Sequence, residues 1–333
     1  MSPAVTIAES FLQTHDGWSL QARRTTLPGK LDRDTRPLLI VPGYGMNNFI
    51  FGYHPRGTSL ERCLAEAGFE VWSFNLRAQG ASKPVKRAAG DVSLHAYATV
   101  DLPAAIDHVL AHTATRATDL TLIGASLGGT VSYGYLALHH RTSVKSLITM
   151  GSPLRWEEAH PLVRLALASP TLAGAVKVRG ARTALRSALP ALLRVPPILG
   201  FYMNPATIDM SRIGELTRTV EDPHPGINRD IALWLRSVDL HLGGVNVTRA
   251  LERQSMPLLV ILSNRDGMVP EATAMSATRA WGGRVDVLKV GDQDNWYAHA
   301  NLFVADDARS LVFDPMIGWL REHAVLGSAA ANE

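Results

Sequence analysis

Residues 120–140 read LTLIGASLGGTVSYGYLALHH. A short apolar run closes at Gly124. One serine follows, with glycine two places before it and two after, and from Leu127 the spacing turns helical. Gly124-Ala125-Ser126-Leu127-Gly128 matches the G-x-S-x-G nucleophile elbow, at the junction where a strand becomes a helix. The turn is so sharp that its neighbours must be small, and the glycines leave the Ser126 hydroxyl standing above the sheet edge. The bland reading of the same letters is a strand–turn–helix with incidental small residues.

A hydroxyl is a poor nucleophile without a base, and the base needs an acid to orient it. Asp266 in SNRDGMVP follows an apolar run at 256–264, and His299 in NWYAHANLF follows another at 284–291. The order Ser126, Asp266, His299 is the order this kind of elbow uses. Among the twelve histidines, His299 alone falls in the loop after the final strand. His95, His108 and His112 fall within a helical pattern, and His139 and His140 end one. Asp292 and Asp294 share the histidine's own loop and are rivals for the acid, with Glu157 and Glu158 behind them; Asp266 sits where an independent strand end places it.

A tetrahedral intermediate needs two donors for its oxyanion. The backbone N–H of Leu127, at a helix N-terminus where the dipole helps, is one. The loop VPGYGMN (41–47) after an early strand supplies the second candidate, the N–H of Tyr44. GYGMNN lacks the third glycine of a dinucleotide site, and the chain has no G-K-[ST] phosphate loop, no H-E-x-x-H and no Cys/His metal spacing, so neither cofactor nor metal is expected.

The rest of the chain fits an α/β layout. Two alternating runs around HDG (4–27) read as a hairpin. RPLLIVPG (36–43), FEVWSFNL (69–76), VKSLITMG (144–151), MPLLVILSN (256–264) and RVDVLKVG (284–291) read as strands. GTSLERCLAEAG (57–68), a stretch at 93–113 with a break expected at Pro103, PEATAMSATRAW (270–281) and a last segment near 305–322 read as helices. Strands alternating with helices imply a mostly parallel, doubly wound sheet covered on both faces. With 333 residues and 46% hydrophobic composition the chain can bury a large core. Its 33 basic and 30 acidic residues are too balanced for a nucleic-acid partner. A single cysteine, Cys63, excludes a disulfide framework, and no signal peptide or 18-residue apolar span is visible, which together give a cytoplasmic expectation. The tail GSAAANE reads as frayed.

LIVPGYGMN, FEVWSFNLRAQGAS, DLPAAIDHVL, LIGASLGG, MGSP, PLLVILSNRDGMVP and HANLF together resemble the α/β-hydrolase superfamily, in its order and over most of 36–153 and 256–322. The set is similar to the branch holding lipases, esterases and polyhydroxyalkanoate-synthase-like proteins. That resemblance implies a serine esterase working through an acyl-enzyme, with acyl transfer or a non-catalytic binding role as the alternatives. The chain departs from many relatives at Pro42, where histidine is common, and at Ala125, where histidine or tyrosine is. Ser126 stands where the synthases carry cysteine and where a dehalogenase carries aspartate.

The alternation stops between the two halves of this core, so 1–153 and 251–333 are expected to form the core and 154–250 a helical cap. From Ala159 to Ile208 there is no acidic residue but six basic ones: Arg164, Lys177, Arg179, Arg182, Arg186 and Arg194. Two amphipathic helices with basic faces are expected here. They form a lid with solvated arginines or, on the sharper reading, a contact for an anionic lipid surface or for an acyl substrate with a charged head group. Trp156, Phe201, Tyr202, Trp234 and Trp296 are candidates to line an apolar acyl pocket. The oligomeric state is not legible.

Overall fold

The computed structural model describes residues 4–87, 89–139, 142–192 and 199–326, with 189–192 described by their backbone alone. His140, Arg194 and the tail 327–333 lie outside the described residues.

The expected hairpin is β1 (Thr6–Gln13) and β2 (Trp18–Thr26), antiparallel from Thr6↔Thr26 to Gln13↔Ser19. β3 (Leu38–Val41) leads through α1 (Leu60–Glu66) to β4 (Val71–Phe74). α2 (Leu102–His112), β5 (Leu120–Ala125), α3 (Leu127–Leu138) and β6 (Val144–Met150) follow. The main sheet then pauses. The insertion carries α4 (Pro161–Ala166), α5 (Pro170–Ala175), α6 (Ala181–Leu192) and α7 (Pro225–Ser237). The chain rejoins the core at α8 (Val247–Leu251), whose Val247 and Leu251 are fully buried, and continues through β7 (Leu258–Ser263), β8 (Val285–Val290) and α9 (Asp314–His323).

The sheet order is β1-β2-β4-β3-β5-β6-β7-β8, with a two-residue strand, Lys83–Pro84, paired to β2. From β4 to β8 every neighbour is parallel. Side chains alternate between faces along a strand, so each apolar run feeds two cores. Leu39, Val41 and Leu122 pack on one face; Leu38, Ile40, Ile123 and Ala125 pack on the other. The registers Val41↔Gly124, Ala125↔Met150 and Met150↔Ile261 end these strands level with one another. The loops that leave them therefore emerge along one edge, the crevice where open α/β sheets bind ligands.

Three helical expectations are corrected in detail. The helix through 93–113 does not break at Pro103: a π-helical turn, Tyr97–Asp101, widens the backbone just before it, and α2 continues. The last helix uses the same device, with a π turn at Arg309–Phe313 ahead of Pro315. A wider turn absorbs the missing proline N–H and the ring's bulk. The expected 270–281 helix is two short ones, Glu271–Ala274 and Ser276–Ala280, meeting at Met275.

Candidate active site

Ser126 follows the last residue of β5 and immediately precedes α3, with φ 52° and ψ −123°. A non-glycine residue with positive φ is strained, and such strain persists only where its surroundings over-determine it. Two glycines set those surroundings. A Cβ on Gly124 would meet Gly129 Cα at 2.3 Å, and one on Gly128 would meet the Val41 carbonyl oxygen at 2.1 Å. Strand and helix thus pack backbone to backbone around the turn. The Ser126 N–H donates to the Met150 carbonyl at 2.7 Å, while its side chain makes no capping hydrogen bond.

Asp266, in the loop after β7, holds His299 by an Nδ1···Oδ2 hydrogen bond of 2.6 Å, with both side chains buried. The other oxygen, Oδ1, accepts from the N–H groups of Met268 and Val269 at 2.8 Å each, so the carboxylate cannot swing. The histidine loop is anchored from beneath. Asn264 accepts from Tyr297 N and donates to the carbonyls of Asp292 and Asn295, and Asn301 accepts from Ala298 N. The imidazole lies over the end of β6: a Cβ on Gly151 would come within 3.0 Å of His299 Cε1. Met150, one residue earlier, is the residue whose carbonyl receives the Ser126 N–H. The serine and the imidazole are thus neighbours across two adjoining strand ends, without a hydrogen bond between them among the described residues. Resting sites often close this contact only with substrate present. The rival acids stand elsewhere: Asp292 is exposed and accepts from Asp294 N and Asn295 N, Asp294 is likewise exposed, Glu157 pairs with Arg279, and Glu158 is bonded through its backbone to Thr273.

The loop after β3 presses against the elbow. A Cβ on Gly43 would meet Ala125 O and Ser126 Cβ at 2.7 Å and Leu127 N at 3.2 Å. Neither the Tyr44 nor the Leu127 N–H has an acceptor among the described residues. Sequence reasoning missed the residues that hold this loop. Gln79 Nε2 donates to the Gly43 carbonyl at 2.9 Å. The Gln79 loop is fixed in turn by Arg77, fully buried, which binds Asp101 through Nε and Nη2 and Asp16 through Nη1. From the insertion, Asn228 accepts the Tyr44 hydroxyl at 2.6 Å, and Glu221 N donates to Gly45 O. Burial pushes the Tyr44 hydroxyl up to about 12, so it stays a donor. RAQGAS in the sequence was the available signal for Arg77 and Gln79; nothing local announces Asn228.

An apolar cavity of about 60 Å³ opens at Ser126. Tyr44, Leu127, Met268 and Val269 line it from the core, and Val163, Leu167 and Ile231 roof it from the insertion. Of the five expected lining aromatics, only Trp156 faces this cavity. Trp234 backs it, with ring centroids 5.4 Å apart. Tyr202 lies against the imidazole at 6.0 Å, and burial and the nearby Asp266 push its hydroxyl up to about 12. Phe201 packs on His160 and accepts from Gly267 N through its carbonyl. Trp296 contributes a carbonyl to Asn204. These rings support the site from outside because a cavity this small has few walls. A larger polar cleft, about 500 Å³, lies by Arg23, Asn48 and Arg182 and includes none of Ser126, Asp266 and His299.

The sequence profile of the α/β hydrolase fold matches residues 36–170, the half of the core that carries the elbow. Over residues 36–170 the chain carries the α/β-hydrolase signature, and its architecture is the α/β-hydrolase fold. Solved α/β-hydrolase structures superpose over nearly its whole length at low identity. An esterase from Exiguobacterium antarcticum is 16% identical with a TM-score of 0.60, covering 94% of this chain and 100% of its own. A thermophilic esterase from Thermogutta terrifontis is 18% identical with a TM-score of 0.61, covering 95% and 98%. A bromoperoxidase from Bacillus anthracis is 13% identical with a TM-score of 0.59, covering 94% and 100%. A comparison with curated proteins finds no match. Identities this low establish the α/β-hydrolase fold, and a fold does not fix a substrate.

Proposed function

We propose that this α/β-hydrolase-fold protein is a serine hydrolase that cleaves carboxylic esters with an apolar acyl or alkyl part. The observation that carries the reading is the strained Ser126 at an apolar cavity, beside two unengaged N–H groups and a buried Asp266–His299 pair. Asp266 accepts the Nδ1 proton of His299 and so fixes the tautomer with a free lone pair on Nε2. Nε2 takes the Ser126 proton as Oγ attacks the ester carbonyl. The N–H groups of Tyr44 and Leu127 hold the oxyanion, and His299 returns the proton to the leaving alkoxide. Water, deprotonated by the same imidazole, then releases the acid from the acyl-serine. Several solved proteins that share the fold are described as esterases, in agreement with this chemistry. The roof of Val163, Leu167 and Ile231 also favours a second reading, acyl transfer to an alcohol or thiol where water is excluded.

A fluorophosphonate probe should label Ser126, and p-nitrophenyl esters of increasing acyl length should be turned over. Ser126→Ala should lose both, with the melting temperature nearly unchanged. A wild-type protein that is neither labelled nor active, or a Ser126→Ala variant that keeps its rate, would overturn the assignment; products formed with added acceptor alcohols separate hydrolysis from transfer.

A further inference from the structure

α4 is apolar on two opposite sides. Val163 and Leu167, at its far end, face the Ser126 cavity, while Leu162 and Leu165 are 58% and 75% exposed. At 100° per residue these pairs point in nearly opposite directions. A helix apolar on two opposite sides in an aqueous setting has a non-aqueous neighbour for each of them. The exposed side continues through Leu172, 63% exposed, to Val176 and Val178. Five of the eleven exposed large apolar residues among those described thus fall within seventeen positions.

The charges interleaved with them along the chain are of one sign, and the carboxylate that reaches this face, Asp222, is held by the N–H groups of Gly180 and Ala181. Arg164, Lys177, Arg179 and Arg186 are exposed, and none has a carboxylate partner among the described residues; Arg182 alone of the group pairs, with Glu221. A second copy of the chain is a poor occupant, because a twofold contact would set these cations against their own images. A neutral apolar partner leaves them unanswered. An anionic surface with an apolar interior answers both.

We propose that the face formed by α4, α5 and residues 176–180 docks on an anionic lipid bilayer, with the leucines and valines entering the acyl boundary and the arginines and lysine at the phosphates. The contact is independent of the chemistry at Ser126.

Sedimentation of the full chain with phosphatidylcholine vesicles, and with mixed phosphatidylcholine/phosphatidylglycerol vesicles, tests it. Binding should be at least about tenfold stronger on the anionic vesicles and should weaken as salt screens the charges. Lys177→Gln/Arg179→Gln should lower it about tenfold or more, since each cation near such a surface strengthens binding about fivefold. Leu165→Glu/Leu172→Glu should reduce it to the phosphatidylcholine baseline with the melting temperature and p-nitrophenyl ester rate unchanged. Equal, negligible binding to both vesicles would overturn the proposal, as would binding that the two leucine substitutions leave intact. A dimer in sedimentation equilibrium that those substitutions disperse would assign the face to a second copy and overturn it as well.

Discussion

The loops at the sheet edge and the helices of the insertion spend their residues in opposite ways. At the edge nearly every position is determined by a neighbour. Gly43 has no room for a Cβ, Ser126 is held at positive φ, and both oxygens of Asp266 are engaged. In α4 and α5 leucines stand in solvent, and the one cation, Arg164, has a backbone carbonyl but no carboxylate partner among the described residues. The contrast separates two kinds of constraint. Edge residues answer to atoms a few ångströms away in the same chain; the outer face of the insertion, on our proposal, answers to a lipid surface outside it.

The largest expected effect tests the edge. Asp266→Asn keeps the acceptor for Met268 and Val269 but presents an NH₂ to Nδ1, which imposes the wrong tautomer on His299; kcat should fall about 10⁴-fold with little change in melting temperature. An unaltered kcat would detach Asp266 from the chemistry. Next, Arg77→Met strips a buried carboxylate of its partner, and urea unfolding should register a loss of about 3–5 kcal/mol. A loss below 1 kcal/mol, on the order of an exposed pair, would mean that the Gln79 loop is not held as described. Gly43→Ala should displace the loop over Leu127 and lower kcat about 10²–10³-fold, as removal of one oxyanion donor does. Smallest of all, Leu165→Glu should shift stability by no more than about 0.5 kcal/mol. A large loss there would show that the insertion is as tightly determined as the edge, and the contrast would vanish.

The same contrast explains what could be read from the letters. Strands β3 and β5, the elbow, and the positions of Asp266 and His299 were legible because they depend on local patterns: an apolar run, a tight turn, a loop after a strand. The passage of the helix through Pro103 was not, since a π turn is a backbone adjustment with no residue signature. Trp234, Phe201, Tyr202 and Trp296 were misplaced as cavity walls because aromatic content does not say which side of a wall a ring occupies. Asn228 was invisible for a further reason: its partner, Tyr44, lies 184 positions away, and only the folded insertion brings them together.

The stitching of residues 44–47 to the insertion bears on how this architecture can be altered. Gly45, Met46 and Asn47 bond to 219–221, and Tyr44 to Asn228. Core and insertion are therefore not interchangeable modules. Lengthening or replacing the segment around α4–α6 leaves those ties in place, whereas excising the insertion whole would also release the Tyr44 loop that packs on the elbow. A lineage free to vary the outer helices would find the stretch from 217 to 228 closed to it.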